Sequence, residues 1–212
     1  MFFKRHTIYR STLLEDPGLI HGFSTREGGV STLPHTASMN LAFERGDIDE
    51  TVRKNLTLFL ASVKEMPPSE EDLSRIVCGP QIHSSTVRRV AAADGGQGVL
   101  RDVPFPCDGY LTEEPGVWLL VRVADCVPIL LAGYKENGHP VAAAVHAGWR
   151  GTAGGIAGAA VSMMRSLGVS PKTIKAAVGP SIHAGCYQVG TDFSDAVKAI
   201  RGADFARRHI RE

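Results

Sequence analysis

Along the chain, short and continuously apolar runs alternate with a few stretches of helical period. Seven runs predict strands: LIHGFS (19–24), RIVCGPQIH (75–83), TVRRVA (86–91), GVWLLVRVA (116–124), VPILLAG (127–133), PVAAAVHA (140–147) and IKAAVGPSI (174–182). Several are apolar throughout rather than alternating, as strands covered on both faces are. The stretch DIDETVRKNLTLFLASV predicts a helix with Val52, Leu56, Phe59, Leu60 and Val63 in one stripe, and Asp47 with Glu50 as a capping box. A second helix is expected from Thr152 to Leu167, closed by Gly168 with Pro171 beyond. A short helix is expected at Ser69. A last one starts at Thr191 or Asp192 and is broken near Gly202.

No repeat or low-complexity linker divides the chain, so the pattern predicts one α/β domain over residues 1–212 with a mixed, buried sheet. Composition narrows the class: 43% hydrophobic and 21% charged residues describe a globular chain. A net charge of +1 gives no electrostatic footprint for nucleic acid. The N-terminus MFFKRHTIYR lacks the apolar core of a signal peptide, and no apolar run is long enough to span a bilayer. The expected location is cytoplasmic, where Cys78, Cys107, Cys126 and Cys186 are free thiols.

Candidate chemistry gathers at strand ends. His83 in GPQIHSS, Cys126 in VADCVPILL and His146 in AVHAGWRG are three groups of the kind zinc accepts, leaving a fourth position for water or substrate. Each has a second explanation: a strand-end His as a hydrogen-bonded structural residue, a Cys in an apolar run as a small hydrophobe. Asp125, beside Cys126 in an apolar run, is expensive to bury unless paired or functional. Arg150, with Gly151 and Thr152 at an expected helix start, suits an anion such as phosphate or carboxylate; the same small residues would also let a helix pack closely on the sheet. HGFSTREGGVST (21–32) reads as a glycine turn, with Arg26 and the later SMN (38–40) supplying polar groups.

Taken in order, HGFSTREGGVS, SMNLAFERGD with VRKN, GPQIHSS, CDGYLT, ADCVPILL, VHAGWRGTAGGI and GPSIHAGCYQVG resemble the YfiH-like family, also called the laccase-domain or polyphenol-oxidase family. Its more recent functional label is purine nucleoside phosphorylase with adenosine deaminase activity. The resemblance implies a layered α/β/β/α fold and a zinc centre of His83, Cys126 and His146, with Asp125 as a further catalytic group. The substrate site expected beside it consists of Arg26, Asn40 and Gln81, with Arg150, Gly151 and Thr152 at the helix start as its anion-holding side. The partners implied are purine nucleosides and inorganic phosphate, with neither nucleic acid nor membrane, in a monomer or homodimer.

Three positions depart from the family pattern: Ser84 and His183 where Gly is common, and Gln188 where Glu is frequent. Relatives are also expected to continue past this chain's RRHIRE with a helix and a closing strand. Alternatives to the zinc enzyme are a copper-dependent polyphenol oxidase, a metal-free hydrolase using Cys126 as nucleophile in peptidoglycan-precursor editing, and a non-enzymatic binding module.

Overall fold

A computed structural model describes residues 1–210. The chain opens with β1 (Phe2–Arg5) and β2 (Ile8–Ser11), to which β3 (Phe23–Ser24) adds antiparallel. Helix α1 (Asp49–Lys64) follows, then β4 (Ile76–Val77), β5 (Val87–Arg89), β6 (Gly109–Thr112) and β7 (Trp118–Leu119). A long hairpin of β8 (Val127–Tyr134) and β9 (Pro140–Ala147) leads into α2 (Trp149–Ala153) and α3 (Ile156–Ser166). Strand β10 (Lys175–Val178), α4 (Thr191–Arg201) and α5 (Ala203–His209) complete it.

Three sheets result: β10-β8-β9-β6-β5, β1-β2-β3 and the parallel pair β4-β7. The first is mixed, because β5 joins β6 parallel while its other pairings are antiparallel. Side chains alternate across it. Ile129, Leu131, Val141, Ala143 and Val145 pack on Ile156, Ala160 and Met164 of α3. The opposite face meets the two smaller sheets: Leu130 and Ala132 join Phe23 and Leu14, and Tyr110 joins Val77 and Leu119. Helix α1 closes the far side, with Leu56 and Leu60 against Ile76, and Phe59 and Val63 against Ile8. The layers therefore run α3, large sheet, small sheets, α1, which is the expected α/β/β/α order.

Local expectations are corrected at several points. The Asp47–Glu50 capping box does not form; α1 begins at Asp49 with no side-chain cap, and the Asp47 carboxylate accepts a 2.7 Å hydrogen bond from Asn40 instead. The helix expected from Thr152 starts at Trp149 and breaks in two, because Gly155 sits at φ 82°, outside the helical region. Its end is as expected, with Gly168 at φ 86° donating to the Arg165 carbonyl. The runs 75–83 and 116–124 form a ladder only at Ile76–Val77 and Trp118–Leu119. The hairpin strands match their predicted spans to within a residue or so. Among the described residues, no helix is long and apolar enough to cross a membrane.

Candidate metal centre

The hairpin register builds the site. β8 starts one residue after Cys126, β9 ends one residue after His146, and Pro128 pairs with His146, so both groups leave the same end of the hairpin. The third comes from the loop before β5, where His83 adopts φ 60°. Asp125, preceding Cys126, stands at φ 80°. Left-handed conformations cost a non-glycine residue about 1–3 kcal/mol and need outside restraint. Here the His83 amide donates to the Asp108 carboxylate at 3.0 Å, and the Asp125 carbonyl accepts from the Ile182 amide at 2.9 Å.

His83 Nε2 lies 3.8 Å from Cys126 Sγ, and one ligand atom from each of His83, Cys126 and His146 falls within 4.8 Å of the others. The two imidazoles meet edge to face, centroids 4.9 Å apart. Ligands of a tetrahedral zinc at ~2.0–2.3 Å stand roughly 3.3–3.8 Å apart, so small side-chain rotations close the set. Gly148 makes room: a Cβ there would lie 2.5 Å from His83 Cδ2 and 3.4 Å from Cys126 Sγ. A cradle free of side chain, two imidazoles and one thiol fit a zinc or copper ion.

Asp108 ties the centre together, and sequence reasoning missed it. Its fully buried carboxylate accepts from His146 Nδ1 (2.8 Å), the Ser84 hydroxyl (2.7 Å) and the amides of His83 and Ser84, with Ile82 at 3.3 Å. The Asp108 carbonyl also accepts from the His146 amide at 2.7 Å. Burial raises the Asp108 pKa, but hydrogen bonds from Ser84, His146 and the loop amides outweigh it and hold the carboxyl below its ordinary value. An ionised Asp108 fixes the proton of His146 on Nδ1 and frees Nε2 for a cation. The signal was in CDGYLT, an acid directly before an apolar strand. Asp125, the acid expected to need a partner if buried, is exposed. Ser84, one of the departures from the family pattern, is thereby explained as an extra donor to Asp108.

Burial raises the Cys126 thiol pKa, and the Asp125 and Asp108 carboxylates raise it further. The polypeptide alone thus disfavours a free thiolate nucleophile, whereas a divalent cation would favour one. Arg150 follows closely in sequence, its guanidinium 4.0 Å over the Trp149 ring. Thr152 donates its amide to Gly148 and its hydroxyl to Ala147, and Gly151 lets α2 approach the Ser84 carbonyl, where a Cβ would come within 2.6 Å. Three other expected substrate residues have their side chains engaged by the backbone. Arg26 donates twice to the Ala37 carbonyl, Asn40 bonds Ala42 in both directions, and Gln81 does the same with Arg122. Arg26 and Asn40 line a separate cavity that reaches Ala124. His183 is exposed and accepts from the Gly185 amide, capping its own turn. Beside Cys126 opens an apolar cavity of about 270 Å³, walled by Trp149, Tyr187 and Phe193. Trp149 and Phe193 meet edge to face at 4.9 Å.

Fold and site together define a layered α/β protein with a His-Cys-His centre at the mouth of its main hairpin. The family model described as multi-copper polyphenol oxidoreductase laccase matches residues 20–211, and the chain belongs to that family. Among similar proteins, the purine nucleoside phosphorylase YlmD of Geobacillus stearothermophilus is 36% identical over 85% of this chain and 64% of its own length. The purine nucleoside phosphorylase SCO2081 of Streptomyces coelicolor is 36% identical over 89% and 72%. The crystal structure of the Geobacillus YlmD superposes with a TM-score of 0.77 at 33% identity, covering 93% of this chain and 71% of that one. That of Bacillus licheniformis YfiH gives 0.73 at 31%, covering 85% and 65%. The chain thus spans roughly two thirds of the length of these relatives.

Proposed function

We propose that the chain carries the catalytic centre of a purine nucleoside phosphorylase that also deaminates adenosine, with zinc held by His83, Cys126 and His146. The observation that carries this is the convergence of those three side chains over the Gly148 gap, locked from behind by Asp108. It is supported by relatives that bear the phosphorylase name. Zinc bound there would supply Lewis acidity at an open fourth position.

The rest falls to the protein's own groups. The aromatic cavity beside Cys126 takes the purine ring, whose faces suit Trp149 and Tyr187. Arg150, whose guanidinium sits on Trp149, offers its donors to phosphate or to the ribose edge. In phosphorolysis a phosphate oxygen bonds to ribose C1′ as the bond from C1′ to N9 breaks, and the departing base takes up a proton. In deamination water adds at C6 and ammonia leaves, giving inosine. Asp125, exposed and lining that cavity, moves the proton in either reaction. Asp108 holds the His146 tautomer constant throughout.

Copper oxidation is the weaker reading: His83, Cys126 and His146 form the one such cluster among the described residues, while multi-copper chemistry needs further centres. Incubating zinc-loaded protein with adenosine and phosphate, followed by chromatography, tests the proposal. Adenine with ribose-1-phosphate, together with inosine, is expected. Absence of all three, or metal analysis giving copper rather than about one zinc per chain, overturns it.

A further inference from the structure

The cavity beside Cys126 is walled on its outer side by α4, and its charges are few. Among the described residues lining it, Asp125 is the one acid and Arg201 of α4 the one arginine or lysine. Arg150 is not part of the lining; its guanidinium sits over the Trp149 ring. TDFSDAVKAIR places Phe193, Val197 and Arg201 four residues apart, so they share one face of α4, and all three line the cavity. That face looks across at α2. Phe193 meets Trp149 edge to face at 4.9 Å, and an Arg201 amino group lies 3.5 Å from the Thr152 carbonyl. Trp149 begins α2 beside the Gly148 gap of the metal centre, and Thr152 stands about one turn along it.

The Arg201 charge is uncommitted. The acids nearest to it in sequence have other partners: Asp195 holds Lys198 at 3.2 Å, and Asp204 pairs with Arg207. Its bond to Thr152 is at the limit of hydrogen-bond length, and that carbonyl already accepts the Gly155 amide at 3.1 Å. The guanidinium carbon stands 5.9 Å from the centre of the Phe205 ring, another wall of the cavity. A planar cation with donors to spare is thus held against the cavity by an aromatic ring and a carbonyl at the end of α2. Such a fork matches two oxygens of a phosphate. Asp125 repels an anion from its own side, which leaves Arg201 as the group that an anion inside this cavity can meet.

We propose that Arg201 is a specificity-determining residue of this cavity and holds a phosphate group there, carried on the ribose of a purine nucleotide or free as inorganic phosphate. The inference rests on the reading of the cavity as the purine site. With the purine on Trp149 and Tyr187, the ribose extends along α2 toward Thr152, and a phosphate on its 5′ carbon arrives at the Arg201 fork. Inorganic phosphate reaches the same fork when the sugar carries none. The apolar walls formed by Val197 and Phe205 keep water from screening the pair, which strengthens it relative to an exposed contact.

The test is calorimetric titration of the zinc-loaded chain with inosine, inosine 5′-monophosphate and inorganic phosphate, each alone so that neither reaction runs. Arg201→Gln should weaken binding of the nucleotide, of inorganic phosphate or of both at least tenfold, while moving the inosine dissociation constant less than twofold. The ligand that loses affinity identifies the source of the phosphate. Arg201→Lys keeps the charge without the fork and should recover part of the loss. If the glutamine variant fails to fold, the lysine variant carries the test, with an expected loss of about threefold confined to the phosphate-bearing ligands. Three results overturn the proposal: wild type that binds neither phosphate-bearing ligand, variants that bind both as wild type does, or a loss spread equally over all three ligands, as a merely structural role would give. Phosphate binding that depends on Arg201 while inosine fails to bind would overturn the purine reading and leave Arg201 as a phosphate site.

Discussion

Asp108 gathers donors from the His83 loop, from Ser84 and from His146, and has no solvent to fall back on. Asp108→Ala leaves those donors buried and unpaired, which should destabilise the fold by about 3 kcal/mol or more in urea titrations. Zinc affinity, read by competition with a chromophoric chelator, should fall roughly 10–100-fold as the His146 tautomer is released. The carboxyl is held below its ordinary pKa in the folded state, so it binds its proton less readily there than in the unfolded chain. Its stabilisation is therefore present above the unfolded value of about 3.9 and is lost as pH falls through the folded pKa. Unfolding free energies measured from pH 6 downward should decline less steeply in Asp108→Asn than in wild type. Gly148 works by absence: its φ of −64° would suit alanine, but the added Cβ would strike His83. Gly148→Ala should keep the far-ultraviolet circular dichroism while weakening zinc binding at least tenfold; unchanged binding would refute the cradle.

At the scale of elements, the hydrophobic pattern carried most of the information. The stripe of α1 and the two apolar runs of the hairpin were legible because their period alone decides which face is buried. Helix starts were less so, since the residues suited to capping have other suitors. Asp47 binds Asn40, and Asn40 in turn organises Ala42. A double-mutant cycle with Asp47→Ala and Asn40→Ala should therefore give a favourable coupling, where a true capping box would leave the two independent. The break between α2 and α3 rests on conformation alone. Gly155 has φ 82° and its added Cβ would touch nothing within 4 Å, so Gly155→Ala should cost about 1–2 kcal/mol by thermal unfolding, all of it backbone strain. The truncated strand in 116–124 could not be foreseen, because a ladder depends on a partner as well as on the run itself.

For the whole molecule, a mixed α/β domain was readable in the hydrophobic pattern, while the α/β/β/α layering and the convergence of His83, Cys126 and His146 were readable chiefly through the family resemblance. Asp108 was not, because its role depends on the 82–84 loop and the end of β9 meeting at one carboxylate. No spacing within CDGYLT reveals that the His83 loop will close over it. Arg26, Asn40 and Gln81 show the converse: polar residues in distinctive motifs whose side chains bond the backbone and shape the loops around the cavities.

The eight-residue register of β8 on β9 has a consequence for how this protein can fail. A slip of one position would turn His146 toward α3 and push Val145 off the apolar layer, so the chemistry and the packing would be lost in one event. An error in pairing therefore cannot yield a well-packed but inert protein. Misfolded molecules expose apolar surface, and so betray themselves to whatever removes damaged chains, while those that pass carry both ends of the hairpin correctly placed. Selection on solubility alone would then preserve the geometry of the site, even through periods when its activity confers no advantage.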